Sequence, residues 1–371
     1  MKQEELLYRL ALPLLPGIGL ITAHQLIQAA GSASVLFEER KTLKERIPEL
    51  PDRILQALDA LDVLRLCEAE LRFAEKNHIT CLTALDEAYP SRLRECNDAP
   101  LVLFYRGTAD LNRRHIISMV GTRNATEYGK DICLRFLKEL QALLPDVLVV
   151  SGLAYGIDIH AHRAALQYGI DTVGVLAHGL DRIYPSVHRR TAADMLSQGG
   201  LLTEFMSGTN PDKQNFVKRN RIVAGISDAT LVIESAEKGG SLITAGIAES
   251  YNRDCFAFPG RIDAPYSAGC NQLIRLNRAA LLQDAAQFVE AMNWNTPSVQ
   301  PPQAIQRQLF PDLSDEEEKI ISLLSAQPEG IQINALVVAS NIAINRLTGI
   351  LFELELKGMV RTLAGGMYKL I

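Results

Sequence analysis

The sequence predicts an α/β protein: a Rossmann-like parallel sheet with helices on both faces, flanked by a small all-helical N-terminal domain of helix-hairpin-helix (SAM-like) type and a C-terminal winged helix. Three observations predict it. From about residue 90 to residue 292, short β-branched runs alternate with helical stretches, as in a parallel sheet whose crossovers cover both faces. Before residue 85, apolar residues recur at spacings of three and four. After residue 313, three helical stretches precede two short strands around Gly365-Gly366, a hairpin signal.

Residues 1–85 hold LLYRLALPLL, HQLIQAAG and ILQALDALDVL, which make a small helical domain. Within it, LLPGIGLITAHQLI at 14–27 puts Gly17 and Gly19 between two short helices. Those glycines either let backbone N–H groups approach a phosphate or form a structural turn, and no Lys or Arg occurs in residues 10–39 to decide between the two. Residues 86–292 supply the strands: LVLFY at 101, IISMV at 116, VLVVS at 147, TVGVL at 172, ATLVIE at 229 and CFAFP at 254. Residues 293–312 are rich in Pro and Gln and read as a linker. Residues 313–371 open on Ser314 with Glu317 three residues on, a capping box. The third helix of this module sets Arg346 and Lys357 against Glu353 and Glu355. Its acidity favours a protein-contact or structural role over duplex binding.

Composition narrows the class. At 371 residues, 47% hydrophobic and 22% charged, the chain can bury a large core in two or three domains. The acidic start MKQEELLYRL and the lack of an apolar run of roughly 18 residues argue against a secretory signal and a membrane span, so a cytoplasmic protein is expected. Six scattered cysteines form no CxxC pair, so reduced, mostly buried thiols are expected rather than a zinc or redox motif.

Against a net charge of −5, Lys213, Lys218, Arg219 and Arg221 fall within nine residues that hold no acid, which reads either as a solvated basic helix face or as a local site for phosphates. Ligands of an open parallel sheet sit beyond the carboxyl ends of its strands. Three Gly-rich turns lie there, each opening a helix: Gly121-Thr122-Arg123-Asn124, Ser151-Gly152 through Asp158, and Lys238-Gly239-Gly240-Ser241. A dinucleotide fingerprint and a P-loop are both absent, so no nucleotide cofactor is inferred, and the spread of turns suits an extended phosphate chain. Asp158, His160 and His162 do not share one helix face, which weighs against a metal site. Ser151 lacks a G-x-S-x-G elbow, which weighs against a nucleophile. Asp181, Tyr184 and His188 are expected to order the loop after TVGVL.

The runs MVGTRNATEYG, VVSGLAYGIDIHAH, GVLAHGLDRIYP, TEFMSGTNPDKQNFVKRNRIVAGIS, LVIESAEKGGSLITA, FAFPG and GCNQLI resemble the DNA-processing protein A family (DprA, also called Smf) over residues 89–285. The resemblance implies a non-enzymatic protein that binds single-stranded DNA, protects it during natural transformation, loads RecA recombinase onto it, and forms a homodimer. It assigns DNA binding to Arg123 of the G-[TS]-R turn and to Lys213 and Phe216 of the KxxF run, with Arg219 and Arg221 in the same motif; Phe216 would stack on a base beside phosphate-binding cations. Gly121, Ser151, Gly152, Gly240 and Ser241 complete the expected wall. Four cations on phosphates would give a slope of log K against log salt of about −3. His188 departs from the Asn that many members carry after Tyr-Pro. The sheet also resembles the lysine-decarboxylase-like phosphoribohydrolases, but GGSLITAGIAE lacks their PGGxGT pattern. A third reading, a winged-helix regulator sensing a small nucleotide, requires duplex binding by residues 313–371 alone.

Overall fold

The β-branched runs of the middle segment assemble into a nine-stranded sheet with both faces under helices. The computed structural model describes all residues except 1, 41, 49, 295–312, 328, 329 and 364. Its strands are β1 (Thr80–Thr83), β2 (Val102–Gly107), β3 (His115–Val120), β4 (Val147–Ser151), β5 (Thr172–Val175), β6 (Gly199–Thr203), β7 (Ala229–Val232), β8 (Asp254–Ala257) and β9 (Ala280–Leu281). They run in the order β1-β2-β6-β5-β4-β3-β7-β8-β9, parallel from β6 to β9.

β4 reads Val-Leu-Val-Val because neither of its faces meets water. Val147, Leu148, Val149 and Val150 are all fully buried, each contributing about 1.5–3 kcal/mol over exposure. One face packs on helices Glu127–Leu143, Ile157–Gln167 and Ala285–Ala291 through Phe136, Ala161 and Phe288. The other packs on Lys213–Gly225, Gly240–Ser250 and Ala268–Arg275 through Ile222, Ala245 and Leu273. β3 has β4 on one side and β7 on the other, so the chain leaves the sheet in opposite directions there and the following loops part into a crevice.

Two details differ from the sequence expectation. β2, read as one of the parallel strands, pairs antiparallel with β6 and with β1. β1 therefore belongs to the sheet although it precedes the boundary expected at residue 85. β6 begins with Gly199-Gly200, a pair that reads as a turn. Gly199 has φ +134° and a Cβ there would lie 1.9 Å from Thr172 O, while one on Gly200 would meet the Tyr105 ring at 2.6 Å.

The N-terminal helices pack around Leu12, Leu36, Leu43 and Leu58 and extend their core to Leu101 and Phe104. Gly17 takes φ +79°, and a Cβ at Gly17 or Gly19 would meet nothing within 4 Å, so neither glycine serves close helix packing. The C-terminal module contains helices Asp315–Ser325, Ile333–Ser340 and Ile344–Leu356 with β10 (Ile331–Gln332), β11 (Val360–Leu363) and β12 (Met367–Leu370) in the order β10-β12-β11. Most of the linker expected at 293–312 lies outside the described residues. No single helix among the described residues is long and apolar enough to cross a membrane. All six cysteines are free and buried or half-buried.

The Ser314–Glu317 capping box forms in both directions. Ser314→Ala is expected to cost this module about 1 kcal/mol, read as a lower unfolding midpoint of its helices by circular dichroism.

Candidate nucleic-acid interface

A cleft of about 630 Å³ opens at the parting of the loops, and the turns at Gly121–Arg123, Gly152–Ala154 and Lys238–Ser241 form its walls with the first turns of helix Lys213–Gly225. The first turn is pinned from several sides. Thr122 donates its N–H to Glu234 O at 2.7 Å and accepts from Ile157 N at 3.1 Å. A Cβ on Gly121 would stand 2.4 Å from Ile157, so glycine lets the Ile157–Gln167 helix close against the turn. The buried Glu234 carboxylate accepts from Thr126 N at 2.9 Å and Thr126 Oγ1 at 2.5 Å, and Gly129 leaves it room. Held this way, the turn presents Arg123 to solvent with its guanidinium 4.8 Å from the centre of the Phe216 ring.

Asp212 starts the helix opposite, its carboxylate accepting from Asn215 N at 2.7 Å. Lys213, exposed in the first turn, and Phe216, half-buried one turn later, both line the cleft. Arg219 and Arg221 do not serve as the free phosphate ligands expected of them. Arg219 is buried beneath the cleft and donates to Gly152 O and Val175 O. Arg221 is buried outside the cleft lining, bonded to Asp98 O and paired with Glu204. The second turn changes meaning with them. A Cβ on Gly152 would lie 2.4 Å from the Arg219 guanidinium, so this glycine admits a cation of the protein, not an incoming anion. The Ser151 hydroxyl is buried and donates to Met119 O at 2.6 Å. Ile157 N, at the head of the helix that follows, is already spent on Thr122 O.

The third turn remains open. Gly239 caps helix Gly240–Ser250 with no side-chain acceptor, the space beside Gly240 is empty, and Lys238 is exposed on the cleft wall. The Ser241 hydroxyl is buried and donates to Ser235 Oγ at 2.9 Å, so the fold already engages it. Under the floor, burial pushes the Asp158 carboxyl above its usual range against the opposing pull of Arg219 and the Ala154 N–H. Burial lowers Arg219 to about 10, which keeps it charged at neutral pH. Lys238 and Glu234 complete the site: the first sits in a turn singled out by its glycines, while the role of the second depends on Thr126, far away in sequence.

The family model for DNA recombination-mediator protein A matches residues 80–293, and the DprA winged helix domain matches residues 301–366. The chain belongs to the DNA recombination-mediator protein A family. Protein Smf from Escherichia coli is 33% identical over 306 residues, covering 82% of this chain and 80% of that protein. The structure of DNA processing protein A from Streptococcus pneumoniae superposes with a TM-score of 0.57 at 31% identity, over 74% of this chain and 98% of that one. That of DNA processing protein A from Helicobacter pylori, described by its single-stranded DNA binding mode, gives 0.53 at 27% identity over 59% and 99%. The family's sheet and winged helix are thus both present.

Arg219→Met leaves two buried carbonyls without a donor and is expected to destabilise the protein by about 3 kcal/mol, measured by urea unfolding. His162, also buried, sits with Nδ1 2.7 Å from Thr172 Oγ1, and burial lowers it from 6.5 to about 3. A folded-state pKa below the unfolded value gives stability that is complete above pH 6.5 and lost as pH falls toward 3. The unfolding free energy should therefore decline across that window by up to about 1.4 kcal/mol per pH unit, and His162→Gln should remove this share of the decline.

Proposed function

We propose that this chain binds single-stranded DNA in the cleft between the Gly121–Arg123 turn and helix Lys213–Gly225, and performs no chemistry on it. The observation that carries this reading is an exposed guanidinium beside a half-buried aromatic ring, Arg123 and Phe216, with Lys213 and Lys238 on the same cleft. Single strands offer alternating phosphates and base faces, and a groove of cations with a stacking ring meets both without reading sequence. The single-stranded DNA binding of the Helicobacter pylori relative supports the same conclusion. Gly121 and Gly240 contribute backbone to the walls. Arg219, Gly152 and Ser151 hold the floor. Loading of RecA recombinase onto the bound strand, its protection, and assembly as a homodimer in the cytoplasm are proposed on the family relationship.

A gel shift with single-stranded against double-stranded oligonucleotides tests the reading, and a preference for the duplex overturns it. Three free cations, in place of the four counted from sequence, give an expected slope of log K against log salt of about −2 with oligo-dT of 6 nucleotides. Phe216→Ala should weaken binding by about 1–3 kcal/mol, and Lys213→Ala should flatten the slope by about 0.7, both without lowering the melting temperature. Release of free base from nucleoside monophosphates would instead establish a phosphoribohydrolase.

A further inference from the structure

Two half-exposed aromatic rings lie beside the cleft, one against Phe216 and one directly after the lining residue Ala154. Tyr184 lies on the loop after β5, 47% exposed, with its ring centre 6.1 Å from that of Phe216. Tyr155 lies in the turn after β4, 50% exposed, edge-on to His188 at 5.1 Å. Neither tyrosine hydroxyl has a hydrogen-bond partner among the described residues.

The backbone beneath both rings is fixed. Buried His178 accepts the Tyr184 N–H at Nε2, 3.2 Å away, and so donates from Nδ1 to Gly179 O at 2.8 Å. Asp181 accepts from Gly208 N at 3.1 Å, and Arg182 donates to Asn210 at 3.0 Å. His188 Nδ1 meets Leu153 O at 3.0 Å, locking the β5 loop to the β4 turn. Directly after His188, Arg189 and Arg190 are exposed in the first turn of helix Arg189–Met195. Cations there oppose the helix dipole, and neither forms an ion pair among the described residues.

We propose that Tyr184 and Tyr155, with Arg189 and Arg190, form a second subsite that extends the strand path beyond the Phe216 cleft and stacks further bases of the same single strand. The proposal rests on the cleft being a single-strand site. A phosphate-and-base polymer is the ligand that uses all of these parts together: rings held at fixed positions on the rim, then unpaired cations within a few residues.

The test compares oligo-dT of 6 and 20 nucleotides on the full chain. The Tyr155→Leu/Tyr184→Leu protein should lose at least fivefold more affinity for the 20-mer than for the 6-mer, with an unchanged melting temperature. The double Phe variant keeps the rings and should restore the difference. The wild-type salt slope should steepen from about −2 for the 6-mer to about −3.5 for the 20-mer, and Arg189→Ala/Arg190→Ala should abolish the steepening. Equal losses for both lengths, or none, overturn the second subsite while Phe216→Ala still weakens both. Failure of the wild type to bind either oligonucleotide overturns the cleft reading itself.

Discussion

The guanidinium of Arg219 joins the helix that carries Lys213 and Phe216 to the sheet beneath it. It reaches Gly152 O in the turn after β4 and Val175 O at the end of β5, so one side chain sets the height of the helix above two strands. Hydrogen bonds from a charged donor contribute about 1.5–3 kcal/mol each, more than the neutral bonds around them. Buried Asp158 supplies opposing charge nearby, and Gly152 supplies the space. Remove the cation and the ligand-facing residues lose their common reference.

The sheet was legible in sequence wherever a strand is buried on both faces, because such strands are continuous apolar runs. β6 was hidden because its first two residues are glycines selected for close contact with Thr172 and Tyr105, and the same pair elsewhere marks a turn. In the site, residue type was readable and direction was not. Residues 213, 216, 217 and 220 share a helix face on the cleft, and Arg219 and Arg221 project to either side of it, where burial and hydrogen bonds to the fold engage both guanidinium groups. Glu234 could not be found this way, since its partner Thr126 is 108 residues distant.

Charge in the C-terminal module follows the same logic. The two cations of its third helix are already engaged: Arg346 donates to Glu316 at 2.8 Å and Lys357 to Glu317 at 2.5 Å. Phe352 and Leu356 are exposed on that helix. A helix whose positive groups are neutralised by its own module has little to offer a phosphate backbone, in line with the acidity of the segment.

If the cleft takes a single strand as proposed, the contact between Arg123 and Phe216 imposes an order on binding. The guanidinium rests over one face of the ring, an interaction of about 0.5–1 kcal/mol at an exposed position. A free base must displace that cation with nothing to give it in return. A phosphate draws the cation toward itself and bares the ring in the same movement. On the proposed single-strand reading, capture of the backbone is the step that frees the ring for stacking, and a strand is favoured over a lone nucleobase without the reading of any base edge.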